Sequence, residues 1–139
     1  MNAHDLDPVY LPLSLCYGLV PIAAGADKFF NLLTDWTKYI PEFVSASSPI
    51  PPQAFMLIVG VIEIVAGLAV LTLLPRLGAY VVAIWLVLIA VAVAVAGFYD
   101  IAVRDLVMAL GAYTLGTVAA LRGEGLLPGR AHHAGAAIG

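Results

Sequence analysis

The sequence predicts an all-α protein: a bundle of four transmembrane helices with an interfacial amphipathic helix between the first and the second. Three observations carry this. The 139 residues are 63% hydrophobic and only 11% charged, and the mean hydropathy is +1.02, far from the composition of water-soluble domains. Four apolar runs each approach the roughly 20 residues that cross a hydrocarbon layer about 30 Å thick. One further stretch alternates apolar and polar residues with helical period. Residues 1–122 therefore read as a single transmembrane domain, followed by a glycine- and alanine-rich tail, residues 123–139, expected to be mobile.

The first span is expected at about residues 8–28. Pro8 to Ala26 is uncharged, Pro12 lies near its start, and Pro21 falls inside it, where a missing N–H should kink or loosen the following turn. The acidic Met1 to Pro8 stretch lacks the basic n-region of a secretory signal, so this run is expected to be retained as a span. Charge returns at Asp27 and Lys28. In about residues 29–44, Phe29, Leu32, Leu33, Trp36, Tyr39, Ile40 and Phe43 recur at helical spacing with Asn31, Asp35, Lys38 and Glu42 between them. This is the pattern of a helix lying at the membrane surface, either as an anchor or as a lid over the bundle. The proline-rich Ser45 to Pro52 then links to the second span.

That second span, about residues 54–75, holds the most informative residue, Glu63. At 1.5 Å per residue it lies about 14 Å from Ala54, near the bilayer midplane. A charge there costs about 2.5–3.5 kcal/mol on insertion scales, so it is expected to face protein, find a partner or be neutral. Met56, Gly60, Glu63 and Gly67 share one helix face. Glycines at that spacing allow close backbone approach, against the first or the fourth span. Pro75, Arg76 and Gly78 suggest a tight turn into the third span, about residues 77–99, with Tyr80 and Tyr99 placed as interface anchors and Trp85 as packing. The fourth span, about residues 101–121, carries Arg104 and Asp105 one turn inside its start.

Four spans in series place Asp27, Lys28, Glu63, Arg104 and Asp105 in the same half of the bilayer. These five are the candidate ligand-binding or proton-relay residues. A buried Glu63–Arg104 pair is the expected contact, with Lys28 as the competing partner. Basic residues distribute as Arg76, Arg122 and Arg130 on the side of the termini against Lys38 opposite. Both termini are thus expected in the cytoplasm of a bacterial inner membrane.

Other chemistries have little support. The lone Cys16 makes no internal disulfide and reads as core filler, and the three histidines, His4, His132 and His133, lie in the tails. No metal site, covalent cofactor, nucleotide loop or nucleophile motif is expected. The formal net charge of −3 argues against a nucleic-acid partner.

Three segments give the chain a likeness to a known family: GADKFF at the end of the first span, GVIEIVAGLAVLTLLPRLGAY through the second, and YDIAVRDLVMALGAY opening the fourth. In their order and spacing the chain resembles the DoxX family of small four-helix bacterial and archaeal membrane proteins over roughly residues 9–122. The resemblance implies a four-helix bundle and association with respiratory or sulfur redox systems, and it puts Lys28, Glu63, Arg104 and Asp105 on recurrent polar positions. No catalytic residue follows from it.

Three functions fit this reading. One is a redox-associated or partner-anchoring subunit whose polar site binds a quinone-like amphipathic ligand, the implied cofactor being a quinone or a lipid. Another is a non-catalytic scaffold in which the charges fix helix register. The third is a small proton-linked transporter. Beyond the lipid bilayer, the expected partners are further copies of the chain or another membrane or redox protein.

Overall fold

The computed structural model describes residues 2–72 and 74–125. The expected tail, including His132 and His133, falls outside the described residues from position 126 onward. Five α-helices follow a 3-10 turn at Ala3–Leu6: α1 Asp7–Phe30, α2 Glu42–Ser47, α3 Pro52–Leu71, α4 Pro75–Val95 and α5 Tyr99–Leu121. Four of them, α1, α3, α4 and α5, are long and apolar enough to cross a membrane. No strand occurs among the described residues.

The bundle is built from two close antiparallel pairs, α1 with α3 and α4 with α5, closed by contacts of α3 with α4 and α1 with α5. Glycine makes the first pair possible. A Cβ on Gly25 would stand 2.5 Å from the Gly60 carbonyl oxygen, and one on Gly60 would stand 2.6 Å from that of Gly25. Gly67 meets the Gly18 carbonyl in the same way one step further along the helices. The buried face of α3 is Met56, Gly60, Glu63, Gly67 and Val70, the face its sequence predicts, and it is turned toward α1. The second pair meets through small residues, among them Ala79, Ala90, Ala102, Ala109, Ala112 and Ala119, all buried. Gly116 leaves room there for the Tyr80 ring, so Tyr80 packs between helices instead of anchoring at the interface.

Local chemistry sets the ends of the helices. α1 runs through both Pro12 and Pro21 without a break. Pro75 opens α4 instead of closing the preceding span, because proline suits the first turn of a helix, whose N–H groups have no partner there. The turn it was expected to begin therefore falls earlier, between α3 and α4. Gly97, at φ +95°, makes the turn into α5. Between the first and second spans, the continuous helix expected over about residues 29–44 is replaced by shorter pieces. Asn31 ends α1 in the left-handed region at φ 52°, the chain makes a 3-10 turn over Trp36–Tyr39, and only Glu42–Ser47 is α-helical. Pro41 sits where a longer helix would have to pass and instead becomes the N-cap of α2.

Cys16 is exposed on the outside of α1, which corrects its expected place in the core. The core itself is Val70, Ala79, Val82, Ala112 and Leu115, with Tyr10, Leu13 and Tyr17 packed against it. Tyr17 donates its hydroxyl to the Met108 carbonyl at 2.7 Å, an intramembrane hydrogen bond that ties α1 to α5. Thr72, Thr114 and Thr117 turn their hydroxyls back onto carbonyls four residues earlier, so these exposed side chains hold no bare donor toward lipid.

Candidate functional site

Asp27 organises the end of α1. Its carboxylate accepts the Leu32 and Leu33 N–H groups, each at 3.0 Å, and the Trp36 indole N–H at 2.9 Å. These bonds turn the chain back over the bundle and leave Asp27 only 7% exposed. The sequence marks Asp27 as a candidate site residue; the structure gives it the job of folding the connector.

Lys28, the next residue, points the other way. Its Cβ lies over Gly60, where a side chain would come within 3.2 Å of it, and its ammonium reaches Glu63, one helical turn further along α3. The Lys28 Nζ to Glu63 Oε2 distance is 2.6 Å, and the two side chains are 4% and 10% exposed. The Trp36 ring covers the same ammonium, with its centroid 3.9 Å from Nζ, a cation–π contact of a desolvated charge. Gly60 thus has two roles: it admits the α1 backbone and gives the lysine stem its path.

Arg104 does not take part. It pairs with Asp100 at 3.7 Å, and both side chains are nearly three-quarters exposed, so the expected Glu63–Arg104 pair is not formed. The reason is angular. Ala102, Asp105, Ala109, Ala112, Gly116 and Ala119 form the buried stripe of α5, and a residue one position from Asp105 is rotated by about 100°. Asp105 therefore turns inward, 7% exposed, while Arg104 turns out. Asp105 lies within electrostatic reach of Glu63 and makes no ion pair or side-chain hydrogen bond among the described residues. From α4, the buried Trp85 indole N–H faces the Glu63 carboxylate without an aligned hydrogen bond.

Four spans thus each contribute one polar group: Lys28 from α1, Glu63 from α3, Trp85 from α4 and Asp105 from α5. The ion pair is satisfied, the indole N–H has no aligned hydrogen bond, and the second carboxylate has no ion pair among the described residues. Of the five candidates, Lys28 and Glu63 pair directly, Asp105 turns inward beside them, Asp27 adjoins them through Trp36, and Arg104 stands outside on Asp100. The sequence reading missed Trp36 and Trp85 as parts of the site. Trp36 lies eight residues after Lys28, about 12 Å away along a continuous helix, and meets it only because the chain turns back after Asn31, a turn the helical spacing of this stretch does not signal.

Two apolar grooves run along the outside of the bundle. One of about 410 Å³ lies between α4 and α5, along Ala83, Val87, Leu106, Ala109, Leu110 and Tyr113. Another of about 310 Å³ follows α3 and α4 along Val61, Val65, Ala69, Leu77 and Val81. Neither is lined by the polar residues.

A second ionic cluster, unforeseen in the sequence, closes the opposite end. Arg122 pairs with Asp7 at 3.0 Å and with Glu124 at 3.9 Å and stacks on the Tyr10 ring at 3.9 Å. Arg76 donates to the Glu124 carbonyl at 3.5 Å. The Asp7–Arg122 contact is an ion pair by distance, without the alignment of a hydrogen bond. Arg122, expected as a free basic residue beyond the bundle, instead joins the start of α1 to the end of α5.

Fold and site together define a multi-pass integral membrane protein with a buried polar cluster reached by all four spans. The family model for DoxX matches residues 10–95, and the chain belongs to the DoxX family. The match spans α1, α3 and α4, with Lys28, Glu63 and Trp85, and stops before α5, so Asp105 and Arg104 lie outside it. Comparison with curated proteins and with solved structures gives no significant match.

Proposed function

We propose that this DoxX protein is a redox-associated or partner-anchoring membrane subunit whose polar cluster receives the head of a quinone-like amphipathic ligand. One observation carries the reading: beside an already satisfied Lys28–Glu63 pair, Asp105 is 7% exposed and makes no ion pair or side-chain hydrogen bond among the described residues, and the Trp85 N–H faces Glu63 without an aligned hydrogen bond. Holding helices together requires only the pair. An additional buried acid and an unpaired donor are costly in an apolar surrounding, and they are what a carbonyl- or hydroxyl-bearing head group needs. The Trp85 N–H and the Lys28 ammonium supply donors, and Glu63 and Asp105 supply sites of proton exchange. The orientation that fits is termini in the bacterial cytoplasm and cluster toward the outer face, of a cytoplasmic membrane.

The test is equilibrium binding of a short-chain quinone to the protein in lipid nanodiscs. Glu63→Gln and Asp105→Asn are expected to weaken binding by about tenfold or more, on the scale of one lost charge-assisted hydrogen bond, whereas Arg104→Gln leaves it unchanged. Equal binding by all three variants contradicts the proposal.

A second reading, a scaffold without a ligand, is favoured by a different observation: Lys28 and Glu63 satisfy each other at 2.6 Å, and neither apolar groove is lined by them. In that case the pair locks the register of α1 on α3, and the functional surface belongs to a partner protein. The transporter reading has no feature of its own that favours it.

A further inference from the structure

The way into the Lys28–Glu63 pair is a question separate from what the pair does. The two outer grooves are not lined by it, and the backbones of α1 and α3 touch at Gly25 and Gly60, which closes the gap between these two helices beside Lys28. The route from water leads in from the end of the bundle where α1 finishes, and the connector lies across it.

Several independent contacts hold the connector there. Asp27 binds the N–H groups of Leu32 and Leu33 and the Trp36 indole. Trp36 then lays its ring on the Lys28 ammonium. Tyr39 packs edge-on against Phe98, at 4.9 Å between ring centroids, so the connector reaches from the end of α1 to the turn between α4 and α5. Asn31, in the left-handed conformation, marks where the chain leaves α1, and Pro41 marks where α2 begins.

We infer that residues 31–41 form a strap closing the water-side route to the Lys28–Glu63 pair, with Trp36 as its latch and Asp27 as the pin that seats it. Lifting the strap removes the aromatic cover from Lys28 while the α1–α3 contact at Gly25 and Gly60 stays intact. The inference does not depend on a ligand. It holds equally if the pair is a binding site or a register lock.

The sequence provides its own reporter, because Lys28 and Lys38 are the only lysines. Lys28 lies beneath Trp36, and Lys38 is exposed on the strap itself. The protein in nanodiscs, open to solvent on both faces, is treated with a sulfonated N-hydroxysuccinimide ester, and modification of each lysine is followed by peptide mass spectrometry. In the parent protein Lys38 reacts and Lys28 is protected. Trp36→Leu and Asp27→Asn are each expected to raise the Lys28 rate relative to Lys38 by about tenfold, the signature of a local opening. Tyr17→Phe, which removes the α1–α5 hydrogen bond away from the strap, leaves the ratio as in the parent.

Two results overturn the inference. If Lys28 reacts as fast as Lys38 in the parent, or its rate is unmoved in both strap variants, the strap is not the barrier. If Tyr17→Phe raises the Lys28 rate as much as the strap variants do, exposure comes from loosening of the whole bundle.

Discussion

At the level of single residues, Lys28–Glu63 is the most deeply buried ion pair among the described residues. Removing one partner of a buried pair leaves a charge without compensation and costs about 3–5 kcal/mol. Lys28→Met and Glu63→Gln are therefore each expected to destabilise the bundle by that order, with the double variant costing clearly less than their sum. Unfolding in bicelles measures this cycle, and additive effects would mean that the contact is not energetically coupled. Arg104→Gln, at an exposed i,i+4 pair, is expected to cost about 0.5 kcal/mol or less. Glu63 and Lys28 were legible as site residues because charge within an apolar run stands out. The choice of Arg104 over Lys28 as the partner of Glu63 went wrong because it rested on side-chain reach. The stripe of small residues Ala102, Ala109, Ala112 and Gly116 was in the sequence and places Asp105, not Arg104, on the inward face.

For the helices and their connections, the glycine contact between α1 and α3 sets how deeply Lys28 can reach. A larger residue at Gly60 would meet both the Gly25 carbonyl and the Lys28 stem. Gly60→Val is expected to lower the thermal midpoint by more than Gly97→Ala, where a Cβ meets nothing within 4 Å and the strain comes from the backbone at φ +95°. A scanning thermal melt of both variants checks the order. In the strap, Asp35 accepts both the hydroxyl and the backbone N–H of Thr37, at 2.6 Å and 3.1 Å. The Thr37 hydroxyl above all, with the backbone N–H and Lys38, holds the Asp35 carboxyl below its ordinary value of 3.8. Because the folded value is depressed, this cap acts fully above pH 3.8 and is lost as the pH falls through the lower folded value. With Trp85→Phe leaving Trp36 as the only tryptophan, its emission is expected to shift in that acid range. Asp35→Asn, which no longer titrates, should lack the shift that Asp35 contributes; an unchanged transition would assign it to another group. The connector was less legible than the spans. Its apolar spacing is that of a helix, but Asp27 captures the N–H groups that would continue α1, and Pro41 interrupts the remainder.

Across the whole molecule, the buried polar groups fall into two clusters. Asp7, Arg122 and Glu124 join the first and last spans at one end of the bundle; the other cluster reaches from Lys28, near the end of α1, to Glu63 in the middle of α3, with Asp105 and Trp85 beside it. The four spans were legible from length and hydropathy, since a lipid core demands long apolar helices whose backbone bonds are met internally. The pairing of α1 with α3 was half legible, as the Gly60–Glu63–Gly67 face was clear but its partner was left open between two spans. The Asp7–Arg122 contact was not legible at all, because it joins positions at opposite ends of the sequence.

The proposed role of the cluster at Glu63 is to receive an amphipathic ligand. Native mass spectrometry of the protein released from mild detergent tests it most directly, with parent and Glu63→Gln compared side by side. A retained species of quinone or lipid mass is expected in the parent and is expected to be lost in Glu63→Gln, with the bundle still folded. A parent that carries no small molecule, or a ligand kept equally by Glu63→Gln, would contradict it.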